Sequence, residues 1–198
     1  MTMAAILIQD RAGSSGLENV PHEAAEVIDF WWLVGPTAWF AKDTEFDRVF
    51  RDRFLPLHEA AAHGDCDGWA ATPYGALALL VLLDQFPRNA FRGTPRMYAT
   101  DEKARRIAAD AIDAGFEHDV HPTWQLFLRL PFAHSESLAD QDRSVALAGE
   151  TGGPNLERAE HHRDIIRRFG RFPHRNPILG RAMRPEEQCF LDEGGFAG

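Results

Sequence analysis

The chain has 198 residues, 44% of them hydrophobic and 26% charged, with a formal net charge of −9. That suits one compact domain with an ordinary core, and it excludes a wholly disordered chain, a collagen and a coiled coil. No apolar run reaches the roughly 20 residues of a membrane span, and the acidic balance speaks against a nucleic-acid binder.

Residues 1–19 read as a flexible leader, with linker chemistry at Gly13-Ser14-Ser15-Gly16. Residues 20–198 read as one helical domain. Pro21 suits a first helical turn; Ala24, Val27, Ile28 and Trp31 follow at helical spacing, and Gly35-Pro36 ends the run. Asp43 caps a second helix with a stripe of Phe46, Val49, Phe50, Phe54 and Leu57, which Pro56 is expected to kink near its end. Pro73 opens a third, apolar nearly all round from Leu77 to Leu83 and therefore central. Thr100 or Asp101 caps a fourth, which Gly115 closes. A fifth contains Trp124 to Leu130. The sixth is expected from about Ser135 to Gly149, the seventh from about Leu156 to Phe169, and a last one starts at Pro185. The tryptophans and phenylalanines at these spacings are core residues. Strand alternation is nearly absent. The expectation is an all-α array of seven to eight helices in antiparallel pairs.

Cys66 and Cys189 lie far apart, each beside acidic residues that disfavour a thiolate, so neither a disulfide nor a cysteine nucleophile is expected and the cytoplasm is the expected setting. No P-loop, dinucleotide fingerprint, GxSxG elbow or HExxH is present, so no nucleotide cofactor is expected. The basic residues are unevenly spread. From Arg158 to Arg184 there are eight arginines against Glu160 and Asp164, a local +6 that leaves −15 for the remainder.

Four segments are denser in charge and aromatics than connectors need: WFAKDTEFDRVFRDRF (39–54), LLDQFPRNAFRGTP (82–95), LPFAHSESLADQDRSV (130–145) and HRDIIRRFGRFPHRNPILGR (162–181). Together they resemble the signature of a mainly bacterial family catalogued as domain of unknown function 924, over roughly Val27 to Phe196. The resemblance implies a fold similar to tetratricopeptide-type helix arrays and implies no activity. Asp84, Gln85, Arg88, Asn89 and Arg92 match the pattern. So do His134, Glu136, Asp140, Asp142 and Arg143, and His162, Asp164, Arg171, His174, Arg175, Asn176 and Arg181. Arg129, Ala133 and Met183-Arg184 depart from it.

The residues carry their own reading. Asp84 stands three, four and seven residues after Val81, Leu80 and Leu77, on the apolar face of the central helix, where a carboxylate needs a cationic partner. Arg88, Arg92 or an arginine of the 167–181 stretch can supply one. Glu136, Asp140 and Arg143 share a helical face, with His134 near; with His162 these form a candidate acid–base set. Asp140 begins a run that lacks the glycine and glutamate of a calcium loop. His161 and Asp164 have metal-ligand spacing, but no segment holds a full tetrahedral set, so no structural metal is expected. Arg171, His174, Arg175, Asn176 and Arg181 crowd forked donors around Pro173 and Pro177, chemistry suited to a carboxylate or phosphate.

The expected function is therefore binding of an anionic small molecule or acidic peptide in a cleft lined by Asp84, Arg88, Arg92, Arg143, Asp164, Arg171, His174, Arg175, Asn176 and Arg181. The alternatives are a hydrolase-type enzyme using His134, Glu136, Asp140 and His162, and an ion-pair lattice that only locks helices together. In each case Asp84, Arg88, Glu136, Asp140, Asp164, Arg171 and His174 are expected to converge in one polar cluster.

Overall fold

The computed structural model describes Leu17 and residues 19–198, so most of the expected leader lies outside the described residues. The described residues form eight helices: α1 (His22–Val34), α2 (Thr44–His63), α3, α4 (Asp101–Asp113), α5 (Pro122–Ala133), α6 (Leu138–Gly149), α7 (Gly153–Phe169) and α8 (Pro185–Asp192). Helix α3 is composite, an α-helix at Pro73–Leu80, a π turn at Val81–Gln85 and a closing α-turn at Phe86–Ala90. Among the described residues there is no strand, and no helix is long and apolar enough to cross a membrane.

Local chemistry sets the helix ends. The Asp43 carboxylate accepts from the amides of Glu45 and Phe46 and starts α2. Thr72 accepts from the Gly75 amide, with Pro73 in the first turn of α3. Gly75 is required there, because a Cβ would sit 2.1 Å from the Trp69 carbonyl oxygen. Helix α7 begins three residues earlier than expected, since Pro154 occupies a first-turn position that suits its fixed φ. Helix α2 runs through Pro56 to His63 as one helix.

Helices α1, α3, α5 and α7 form a row in which each touches the next, while α2, α4 and α6 pack against their neighbours in that row. Helix α3 is central: every residue from Leu77 to Leu83 is at most 1% exposed. Around it lies an aromatic core in which Trp31 stacks on Phe50 at 5.2 Å and Trp39 meets Phe127 edge-on at 4.9 Å. The Trp39 indole N–H is satisfied by the Trp31 carbonyl at 2.7 Å. Phe40 departs from the expected core role and is 57% exposed. A second, much smaller core of Ile165, Ile166, Phe169 and Phe172 holds α7 to α8, with Phe190 and Phe196 packed on it.

Candidate functional site

The site begins with a proline. In the π turn the Phe86 amide reaches back five residues to the Val81 carbonyl. Pro87 has no amide to offer the next carbonyl, so main-chain acceptors in the middle of the most buried helix are left for side chains. His58 Nδ1 donates to the Leu82 carbonyl at 2.9 Å, Thr100 Oγ1 to that of Leu83 at 2.5 Å, and Arg88 to that of Asp84 at 2.7 Å. Thr100 thus stands at the N-cap position of α4, but its hydroxyl serves α3 instead. The π turn carries Asp84 into the interior, where it is 1% exposed.

Asp84 is fully engaged. One carboxylate oxygen accepts from His134 Nδ1 at 2.8 Å and lies 3.2 Å from Arg88; the other accepts from Gln85 at 2.6 Å. Burial alone would raise its pKa, but Arg88, then His134 and Gln85, hold the carboxyl below its ordinary value. The His134 pKa is lowered by burial and by Arg88, against the pull of Asp84. The pair is therefore a carboxylate beside a neutral imidazole whose Nδ1–H points at Asp84 and whose Nε2 lies on the opposite edge of the ring. Arg88 also makes a two-pronged ion pair with Asp101, at 2.8 and 3.0 Å. Arg175 lies 3.7 Å from Asp101, donates to the His134 carbonyl at 2.9 Å, and stacks over the rings of Tyr98 and Phe172. Its pKa is lowered by burial and by Arg88. Two arginines, Arg88 and Arg175, thus face two carboxylates, Asp84 and Asp101.

A second network adjoins the first through the 134–136 and 172–176 segments. Glu136 takes a two-pronged contact from Arg181, at 2.6 and 2.9 Å, and accepts from the Phe172 amide. Arg181 in turn donates to Asn176, and Asn176 to Glu187. Glu187 is 0% exposed and pairs with Arg171 at 2.7 and 2.8 Å. Hydrogen bonding to Arg171 pulls its carboxyl down to about 2. Beside both networks, the His162 and His174 rings pack on Phe196 at 4.6 and 5.0 Å. Burial pulls both imidazoles down to about 4; for His162 the neighbouring His134 adds to the effect, and for His174 Arg175 does.

The structure thus brings Asp84, Arg88, His134, Glu136, Arg171, Arg175, Asn176 and Arg181 into two adjoining networks, with His174 packed beside them. Asp140 lies at their margin, bonded to Ser135 and 3.3 Å from Arg105. Three residues expected to line the cleft lie elsewhere, Asp164 among them also an expected member of the cluster. Arg92 bonds Asp47 of α2, Arg143 pairs with Asp113 and covers the Phe132 ring, and Asp164 stands in solvent 3.7 Å from Arg167. Helical geometry explains Asp164: Ile165 and Ile166 face the small core, which turns Asp164 outward. Sequence reasoning missed Tyr98 and Glu187, and it read Asp101 only as a cap. Glu187 follows Pro185 in a first helical turn, a place where an acidic residue is ordinarily explained by the helix dipole.

Both cysteines are free thiols, Cys66 buried and Cys189 exposed. Burial, then Asp65 and Asp67, raise the Cys66 pKa; Glu193 raises that of Cys189. Among the described residues, no three His, Cys, Asp or Glu side chains are grouped to hold a metal ion.

Comparison with known proteins places the chain. A family model described as a bacterial protein of unknown function, DUF924, matches residues 27–195, and the chain belongs to that family. Among solved structures it is similar to the protein of unknown function ATU0120 from Agrobacterium tumefaciens. The two share 51% identity over 86% of this chain and 97% of that one, with a TM-score of 0.84. No curated protein matches.

Proposed function

We propose that the protein is a helical binding module for a small anion, taken at His134 with uptake of a proton. The observation that carries this reading is the 2.8 Å contact between His134 Nδ1 and Asp84. The arginines of the motifs are matched by carboxylates, Arg88 and Arg175 by Asp84 and Asp101, Arg181 by Glu136, Arg171 by Glu187. An arriving anion therefore meets little uncompensated positive charge. It can create that charge by favouring the imidazolium, which Asp84 is already placed to stabilise. Arg88, Asp101 and His134 are 16%, 19% and 17% exposed, an opening suited to a small anion more than to an acidic peptide. The row of α1, α3, α5 and α7 supports a tetratricopeptide-like superhelix as the scaffold, and two free thiols fit a cytoplasmic setting.

Calorimetric titration with inorganic phosphate, in two buffers of different ionisation enthalpy, tests the reading. Binding is expected to take up at most about one proton per phosphate and to tighten as pH falls. His134→Asn is expected to abolish the uptake. Phosphate binding with no proton uptake, or no binding at all, rejects it. The same dyad supports a second reading, an acid–base enzyme with His134 as base and Asp84 orienting it. Turnover of a panel of small esters that His134→Asn removes would favour that reading.

A further inference from the structure

A cavity of about 200 Å³ lies between α5, α6 and α7, and neither Asp84 nor His134 lines it. Its walls are mostly apolar, formed by Pro122, Leu126, Leu130, Ala133, Ala148 and Ala159. Neutral polar side chains interrupt that lining, Gln125, Ser144, Thr151 and Asn155, and so do two ionisable groups of α7, His162 and Arg158. They stand four residues apart and so share a helical face.

The protein leaves both His162 and Arg158 short of partners. His162 is 8% exposed, and both its ring nitrogens are buried without a well-formed hydrogen bond; the Ala133 carbonyl is the main-chain group beside the ring. Buried polar atoms are nearly always paired, so an orphaned imidazole on a cavity wall marks a place for a ligand atom. Phe172 and Phe196 cover other sides of the ring, at 5.5 and 4.6 Å, and offer it no hydrogen bond. Arg158 is exposed and has no ion pair among the described residues. Its neighbours differ: Arg163 and Arg167 both lie near Asp142. Arg129, the other cation on the cavity wall, is already neutralised by Glu117 and Glu150, at 3.0 and 2.7 Å. The cavity therefore offers one uncompensated positive charge at its rim, one neutral hydrogen-bonding ring within, and apolar walls.

We infer that this cavity is a second binding site, and that its ligand class is a small monocarboxylic acid with a compact apolar body. The apolar part fills the space among Leu126, Leu130 and Ala148. The carboxylate meets Arg158, with the His162 ring as a further hydrogen-bond partner. Size limits the ligand: a dry apolar cavity of about 150 Å³ accommodates benzene, so one only slightly larger takes a body of about six to nine heavy atoms. This inference does not depend on phosphate binding at His134.

The test uses the whole chain and benzoate as probe, with benzamide as the uncharged analogue of the same shape. Benzoate is expected to bind one-to-one with Kd on the order of 0.1–1 mM, as such a small ligand allows. Benzamide and the Arg158→Ala variant are each expected to weaken binding by about five-fold or more, the worth of one partly exposed charge contact. Leu126→Trp, at a partly exposed position on the wall, should fill the cavity and abolish binding. His134→Asn should leave benzoate binding unchanged, which separates this site from the phosphate site. Arg158 is exposed, so its alanine variant is expected to fold, and a thermal melt confirms that. Absence of saturable benzoate binding overturns the inference. So does binding that survives both Arg158→Ala and Leu126→Trp, and so does binding that His134→Asn removes.

Discussion

The two ends of this molecule are held together by different physics. From α1 to α5 the structure rests on burial: Trp31, Phe50, Trp124 and Phe127 are at most 2% exposed and pack around α3, whose Leu77–Leu83 stretch is shut off from water. From α7 onward only Ile165, Ile166, Phe169 and Phe172 form a buried apolar cluster. Charge does much of the remaining work there, through Glu136 with Arg181 and Glu187 with Arg171 and Asn176. Burial is non-directional and tolerant of salt; paired charges are directional and sensitive to pH. The same arginines that suggest an anion site by their number are thus consumed in closing the C-terminal part of the fold. What remains chemically open is a histidine on a buried carboxylate and a cavity with one unpaired arginine.

Substitutions should separate the two regimes, beginning with the largest effect. Phe50→Ala removes a fully buried ring from the aromatic core and is expected to cost about 3–5 kcal/mol of global stability, read as a lower midpoint in urea with unchanged slope. Asp84→Ala leaves Arg88 short of a partner in the interior and should cost about 3 kcal/mol, in the range found when one member of a buried pair is removed. If Asp84→Ala costs as little as a surface change, the dyad is not a buried charged pair. Glu187→Gln should cost less, about 1.5–3 kcal/mol for lost hydrogen bonds to charged groups. Limited proteolysis should find its effect confined to the last 30 or so residues. Arg92→Ala, at the half-exposed contact with Asp47, should cost under about 1 kcal/mol, and a thermal melt is sufficient to check it.

The histidines sharpen the comparison through pH. His162 and His174 are held at about 4 in the folded protein, against an ordinary 6.5. The unfolded chain therefore binds more protons than the folded one between those values. Stability is expected to rise with pH from about 4 to 6.5 and to level off above that. Glu187 works in the same direction lower down: with a folded value of about 2 against 4.5, its contribution is complete above 4.5 and is lost as pH falls toward 2. Urea midpoints across pH 4–7 for the parent and for His162→Phe check the first part. The variant should show a shallower slope, and an unchanged slope would mean that His162 is not held neutral by its surroundings.

Much of this architecture was legible in the residues themselves. Periodicity and caps place the helices because they are local properties: Asp43 caps α2, Thr100 precedes α4, and Leu77 to Leu83 mark the central helix. The position of Asp84 on a buried face, and its need for a partner, follow from helical spacing alone. Of the three partners it allows, Arg88 is the one that reaches Asp84, at 3.2 Å. That His134 joins the carboxylate across 50 residues, and that Arg88 also holds Asp101, does not follow from spacing. Glu187 was hidden because an acidic residue in a first helical turn already has an explanation. The π turn depends on how Pro87 frees carbonyls that His58 and Thr100 then satisfy, a tertiary arrangement no local pattern encodes. The α5–α6–α7 cavity is invisible for the same reason, since three helices must be packed before a space exists between them.

The central claim is that the C-terminal part is a separate, charge-held unit on a burial-held body. Native-state hydrogen exchange at increasing denaturant tests it most directly. The amides of Leu79 to Leu83 in α3 should exchange only through global unfolding. Those of Leu179 and Arg181, which bond the Arg175 and Asn176 carbonyls, should open at a distinctly lower free energy, and Glu187→Gln should lower that value further while leaving α3 unchanged. Exchange of both sets at one common free energy, shifted equally by Glu187→Gln, would contradict it.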